Sequence, residues 1–267
     1  MRVVLSSLVL SLLLLLSLFS PRVQAHFQLL IPSADIVATD ESPRIELKMI
    51  FTHPVEGGPH MDMGHPQLFG VMVRGKRQDL SSSLQEMKIP ATPGGPLVRA
   101  WRAEYLLRRP GDHLFYLIPQ PYFEPAEGKF IQQITKVVIN AFGAEEGWDK
   151  PVGLKAEIIP LTRPYGLWAG NTFRGLVLID GKPAPNIEVE VEFLNNRGLT
   201  PPAEPFITQV IKTDAQGIFS YSIPWAGWWA FSALGEGGEL DHNGKKYPLE
   251  LDAVIWIRAY PLPQGVK

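Results

Sequence analysis

Twenty-five prolines and 24 glycines punctuate the 267 residues, and that density constrains the fold more than any other feature. Proline removes a backbone donor and fixes φ, and glycine costs a helix interior about 1 kcal/mol relative to alanine. No apolar pattern of 3.6-residue period extends over three turns between these breakers. The pattern that does persist has the period of a strand. Ile45, Leu47 and Met49 alternate with Arg44, Glu46 and Lys48; Ile187, Val189, Val191 and Phe193 alternate with Glu188, Glu190 and Glu192. Near the end, Val254, Trp256 and Arg258 alternate with Ala253, Ile255 and Ile257. Short strands closely spaced by turn signals imply an all-β chain, built as two tandem β-sandwich domains of immunoglobulin-like kind.

Several local expectations follow. Residues 98–107 and 113–118 read as a hairpin around Arg109-Pro110-Gly111-Asp112, and residues 130–142 as a strand or a short helix. Asp180-Gly181 is a strong hairpin-turn signal. The segment from Pro160 to Tyr165 divides residues 26–160 from residues 161–267, with Leu154 to Ile159 closing the first unit. Turn-rich sequence there predicts two separable domains with few contacts between them. Glu188, Glu190 and Glu192 read as the solvated face of a half-exposed strand. The run from Trp225 through Trp228 and Trp229 to Phe231 reads as core, with stacking on sugars as its other use.

Residues 3–20 are apolar and uncharged, follow Arg2, and lead to Val23-Gln24-Ala25. This is the pattern of a secretory signal spanning residues 1–25, cut to leave His26 first. An uncleaved anchor is the alternative, because about 18 apolar residues is the lower edge for a spanning helix. Either way the body is expected outside the cytoplasm, in the periplasm. Removing the signal takes two of 25 basic residues and none of 27 acidic ones, leaving 23 − 27 = −4. That balance argues against nucleic acid as a partner. There is no cysteine, hence no disulfide-linked partner and no thiolate ligand. No nucleophile elbow, phosphate loop or His-Glu-x-x-His helix occurs, and the favoured expectation is a protein that is not an enzyme.

The six histidines carry the most chemistry. His53, His60 and His65 fall within thirteen residues, with Met61 and Met63 between them, in a segment also holding Pro54, Gly57, Gly58, Pro59, Gly64 and Pro66. Such a segment is a loop, and a loop can fold several ligands around one ion. Imidazole suits Zn, Cu, Fe and Ni, while thioether sulfur favours softer ions. His26, if first, adds an α-amine of ordinary pKa ~7.7–8.0, which a metal can deprotonate cheaply. The candidate metal ligands are therefore His26, His53, His60, Met61, Met63 and His65. His113 is expected on the surface and His242 in a turn.

Certain segments together resemble a known family. They are His26 to Pro32, Phe51-Thr-His-Pro54, the Met61-Asp-Met63 loop, Ile159 to Tyr165, Val177 to Pro183, and Pro224 to Phe231. They are similar to exported accessory proteins of bacterial nickel/cobalt importers. The closing stretch also resembles carboxypeptidase-regulatory-like, transthyretin-like β-sandwiches. The resemblance implies a protein that presents Ni²⁺ or Co²⁺, with Cu²⁺ or Zn²⁺ possible on chemistry alone, to the membrane subunits of an energy-coupling-factor type ABC importer. It places the metal end at His26, His53 and the loop bearing Met61 and Met63; His60 and His65 lie outside its pattern. Two other classes stay open. One is a copper enzyme with an N-terminal histidine brace, and the other a glycan-binding or adhesion β-sandwich, which needs an exposed Trp cluster.

Overall fold

The structure, a computed structural model, describes residues 26–263 and 265; the expected signal, residues 1–25, lies outside them. Strands dominate, and the two short 3₁₀ turns, Ser81–Ser83 and Glu204–Phe206, are the helical elements among the described residues. Three sheets stack as layers. The first outer sheet orders Phe27–Pro32, Arg44–Thr52, Leu97–Leu106 and Gln85–Pro90, with His60–Met61 added beside Arg44–Thr52. The twelve-stranded middle sheet is centred on Gly227–Ala233, Lys245–Tyr260, Lys129–Ala141 and Gly111–Ile118. The second outer sheet holds Ala156–Pro160, Thr172–Ile179, Lys182–Pro183 and Ile218–Ser222.

Strand alternation explains why the middle layer can serve both neighbours. Successive side chains point to opposite faces. Val254 and Trp256 therefore join one core with Phe27, Leu47 and Trp101, while Ala253, Ile255 and Ile257 join another with Phe173, Val177 and Phe219. The fold is two β-sandwiches that share their middle sheet. The aromatic run obeys the same rule: Trp228 enters the first core, and Trp229 and Phe231 the second. Buried indole N–H groups are satisfied, Trp256 Nε1 donating to the Gln28 carbonyl at 2.9 Å and Trp229 Nε1 to that of Trp225 at 2.9 Å.

This sharing corrects the expectation of separable domains. Lys129–Ala141 pairs in parallel with Lys245–Tyr260, in register from Phe130↔Leu249 to Val137↔Trp256. Parallel neighbours need a long crossover, and here the crossover contains the whole second outer sheet. Ala156–Pro160 pairs with Thr172–Ile179, so the strand expected to close the first unit belongs to the second sandwich. Expressed alone, residues 26–160 are expected to show no cooperative unfolding in a urea titration, since their central strand loses its parallel partner and half of its cover. A sharp transition with native-like tryptophan fluorescence would refute this.

Other local readings also change. The segment around Arg109 is a corner, because Leu97–Leu106 lies in the first outer sheet and Gly111–Ile118 in the middle one. Lys129–Ala141 is entirely strand. Asp180 and Gly181 do take positive φ, 48° and 72°, and join Thr172–Ile179 to Lys182–Pro183. Glu188, Glu190 and Glu192 are not a common solvated face: exposure falls along the strand until Glu192 is buried. His113 is buried rather than superficial, and His242 ends the strand Glu236–His242, stacked on Phe123 at 4.3 Å.

One buried ion pair joins the middle sheet to the second outer sheet. Lys136 Nζ donates to Glu157 Oε1 at 2.7 Å, with both side chains 1% exposed. Glu157 also accepts the backbone N–H groups of Val152, Gly153 and Leu154. Its carboxylate thereby fixes the connection that leads into the second sandwich.

Candidate functional site

The antiparallel register of Phe27–Pro32 with Arg44–Thr52 pairs Phe27 with Thr52. The residues just outside that pair are His26 and His53. Their ring centroids lie 4.5 Å apart. His26 stacks on Phe51 at 5.5 Å and neighbours Tyr122 at 5.7 Å. Its Nε2 lies 3.3 Å from Glu124 Oε2, with side chains only 10% and 12% exposed. Tyr122 and Glu124 come from the short strand Tyr122–Glu124, held by antiparallel pairing with Lys129–Ala141. Three separate strands thus supply two imidazoles, a carboxylate and an aromatic wall.

Beneath this pole the middle sheet is rich in carboxyl groups. Gln133 connects the layers: its Nε2 donates to the His26 carbonyl at 2.6 Å and to Asp252 Oδ2 at 3.2 Å, and its Oε1 accepts from Gln28 N–H at 2.6 Å. Burial holds Asp252 well above the usual carboxylate range, and the Glu250 charge adds to that rise. Burial likewise raises Glu192, and pushes Glu190 up to about 7 with help from Glu250. Lys129 partly offsets this charge, reaching Glu127 at 2.6 Å and Glu250 at 2.7 Å.

The segment 53–65 folds back as a tight reversal. His60 and Met61 form a short strand opposite Thr52 and Phe51. His53 and His60 both line a shallow apolar groove with Leu194 and Asn195. His60 Nδ1 donates to the Pro90 carbonyl at 2.9 Å, which leaves Nε2 as the ring's lone-pair nitrogen. Met61 pairs with Phe51, which stacks on His26, while Met63 and His65 point elsewhere. Met63 is buried in the first core, its sulfur 3.6 Å from Gln28 Nε2. His65 packs edge-on against Trp101 at 4.7 Å and donates from Nδ1 to the Pro66 carbonyl. The structure therefore brings His26 to His53, keeps His60 within the same end, and sets Met63 and His65 into separate surroundings. Asp62 pins the reversal through its ion pair with Arg99 at 2.6 Å, and that guanidinium lowers the Asp62 pKa.

As a metal site the donor set is partial. Among the described residues no three His, Asp or Glu side chains close on a common point. Two imidazoles and the neighbouring carboxylate are of the right chemical type for a late first-row ion. Sequence reasoning missed Glu124, Gln133 and Asp252, and took the buried Glu192 for part of a solvated face. Glu124 follows Tyr122 and Phe123 in a Pro-rich stretch with no motif, and only strand pairing brings it to His26.

A second concavity, of about 230 Å³, lies beside the second sandwich. Its walls include Phe193, Phe206, Trp225 and Trp229, with Trp225 37% and Phe206 57% exposed. Asn195 at its rim is internally committed, donating to the Val55 and Leu199 carbonyls and accepting from Leu199 N–H.

Among the described residues no helix is long and apolar enough to cross a membrane. Solved structures with some likeness include the D0–D1 domain of Intimin (13% identity, 88% of this chain and 100% of that one, TM-score 0.23). A bacterial ice-binding adhesin gives 9% identity over 87% of this chain and 65% of that one, TM-score 0.24. A putative carbohydrate binding protein from Bacteroides uniformis gives 11% identity over 88% and 99%, TM-score 0.22. Likeness at these scores carries no argument about ligand or mechanism. No curated protein matches the sequence. The profile described as "Domain of unknown function (DUF4198)" matches residues 23–237, and the chain belongs to that family.

Proposed function

We propose that the chain is an exported, non-catalytic β-sandwich binding protein that takes a divalent transition-metal ion, Ni²⁺ or Co²⁺, at the pole where His26 meets His53. The observation that carries this reading is the contact of these two imidazoles at 4.5 Å, with Glu124 3.3 Å from His26. His26 and His53 would bind the ion, and His60 Nε2 is the next donor at that end. Glu124 would orient the His26 ring or join the shell. Cleavage before His26 would add its α-amine. The importer as partner rests on the sequence resemblance alone.

Isothermal titration of the mature protein with Ni²⁺, Co²⁺, Cu²⁺ and Zn²⁺ tests the site. His53→Ala is expected to weaken binding by about ten-fold or more, while His242→Ala leaves it unchanged. Binding should also weaken as pH falls through the imidazole range near ~6.5, because protons compete for the same lone pairs. Equal affinity of the His53→Ala and wild-type proteins would remove the site.

The aromatic concavity supports a second reading, a module that binds the apolar face of a sugar. Aromatic walls with few uncommitted polar groups favour stacking over hydrogen-bonded recognition. Under it, an oligosaccharide panel should quench tryptophan fluorescence in the wild type and not in Trp225→Ala. Absence of any sugar response in the wild type would discard this reading.

A further inference from the structure

The first sandwich carries an unassigned basic groove at the end opposite His26. The turn from Leu68–Val73 into Lys76–Asp79 bears Arg74, Lys76 and Arg77. The corner from Leu97–Leu106 into Gly111–Ile118 bears Arg108 and Arg109. The pairing of Val73 with His113 sets these two bends side by side. His113 pairs with Ile139, six residues along the strand from Gln133, which is about 20 Å at the usual rise. The groove is thus well removed from the histidine pole.

All five cationic residues are exposed, and none makes an ion pair with a carboxylate among the described residues. The nearest acids in sequence lie off the groove face, Asp79 sharing with Arg77 the opposite face of their strand. Asp79 accepts the Ser81 N–H at 2.8 Å, and Asp112 is buried, accepting from Asn140 and from Trp148 N–H. A chain with formal net charge −2 therefore gathers five cationic residues at one corner, with Asp79 two residues from Arg77 on the same strand face.

Between the bends runs a cavity of about 280 Å³. Its cationic rim is Lys76, which pairs directly with Val73, together with Arg108 and Arg109, and its floor is Val71, Val73, Tyr105 and His113; Arg77, paired with Met72, projects from the opposite face of the sheet. Burial favours the neutral form of His113, and Tyr105 keeps its proton for the same reason. The floor is consequently uncharged, and the rim is a set of guanidinium forks and one ammonium. Guanidinium matches phosphate oxygens bidentately, and several together hold more than one negative charge.

We propose that this groove binds an organic phosphate, its charged oxygens between Lys76 and Arg108 and its carbon portion over Val73 and Tyr105. A soluble phosphate ester and a phospholipid headgroup share this chemistry. The apolar floor distinguishes both from inorganic phosphate, which would gain nothing from Val73 or Tyr105.

The test uses the full chain with two probes. Phenyl phosphate is titrated calorimetrically, with phenol as its neutral control. Vesicles of phosphatidylglycerol mixed with phosphatidylcholine are sedimented beside vesicles of phosphatidylcholine alone. At least one anionic probe is expected to bind, and the Lys76→Ala/Arg108→Ala double variant to lose about ten-fold or more of that affinity. Arg174→Ala, an exposed arginine on the second outer sheet, should bind as the wild type does. Matching urea midpoints for both variants show that the loss is not unfolding, and Lys76→Arg/Arg108→Lys, which keeps the charge, should recover part of the binding. A phenyl phosphate response identifies a free ester, and a response confined to phosphatidylglycerol vesicles identifies a headgroup. The proposal is overturned if neither probe exceeds its control, or if the double alanine variant binds as tightly as Arg174→Ala.

Discussion

Glu157→Ala is expected to destabilise the fold by about 3–5 kcal/mol, the usual cost of breaking a buried ion pair from one side. The substitution strands the Lys136 ammonium at 1% exposure and removes the acceptor of three backbone N–H groups. Burial already lowers the Lys136 pKa against the opposing pull of Glu157; without that pull the lysine must give up its proton or draw in water. Glu157→Gln should cost less, because its amide oxygen still accepts. Adding Lys136→Met to Glu157→Gln should recover part of the loss by removing the buried charge. Urea unfolding followed by tryptophan fluorescence measures all three. A loss for Glu157→Ala below ~1 kcal/mol, the scale of a surface pair, would show that this connection does not hold the layers together.

Stability is expected to fall as pH rises from about 4.5 to about 7, and Glu190 should account for much of the slope. Its folded pKa is pushed up to about 7 from 4.5, first by burial and then by Glu250. A carboxyl with a raised folded pKa binds its proton more tightly in the native state. Its contribution is therefore complete below the unfolded pKa and is lost as pH climbs through the folded one. A difference of 7 − 4.5 = 2.5 units corresponds to on the order of 3 kcal/mol. Asp252 and Glu192 are raised in the same direction by burial, so they steepen the trend. Glu190→Gln should flatten the profile and make the protein more stable than wild type at pH 8. A flat wild-type profile between pH 4.5 and 7.5, or an unchanged slope in the variant, would show that these carboxyls are solvated.

Local chemistry was legible wherever the deciding contacts lie close along the chain. Asp180-Gly181 turns where it should because two successive positive-φ positions need such residues. The alternation of Val254 and Trp256 with Ala253, Ile255 and Ile257 correctly sorted side chains to two faces. The same alternation misled at Glu188, Glu190 and Glu192, because a period tells which side chains share a face and not what covers it. Likewise the Pro-Gly bend at Arg109 marks a change of direction, while only packing decides that the chain changes sheets there.

The histidine pole divides along the same line. The composition of residues 53–65 marked a ligand-rich reversal, and strand register brought His26 beside His53. Met63 went into the first core, where its sulfur meets Gln28 Nε2 and its carbonyl accepts from Trp101 Nε1. By itself, the sequence determined an all-β chain, its turns and the faces of its strands, since those depend on backbone preferences and on a two-residue period. Only the tertiary structure decided that Lys129–Ala141 pairs in parallel with Lys245–Tyr260, that two sandwiches share one sheet, and that Glu124 meets His26. These outcomes depend on burying both faces of one sheet at once, which is a property of the assembled layers and of no single segment.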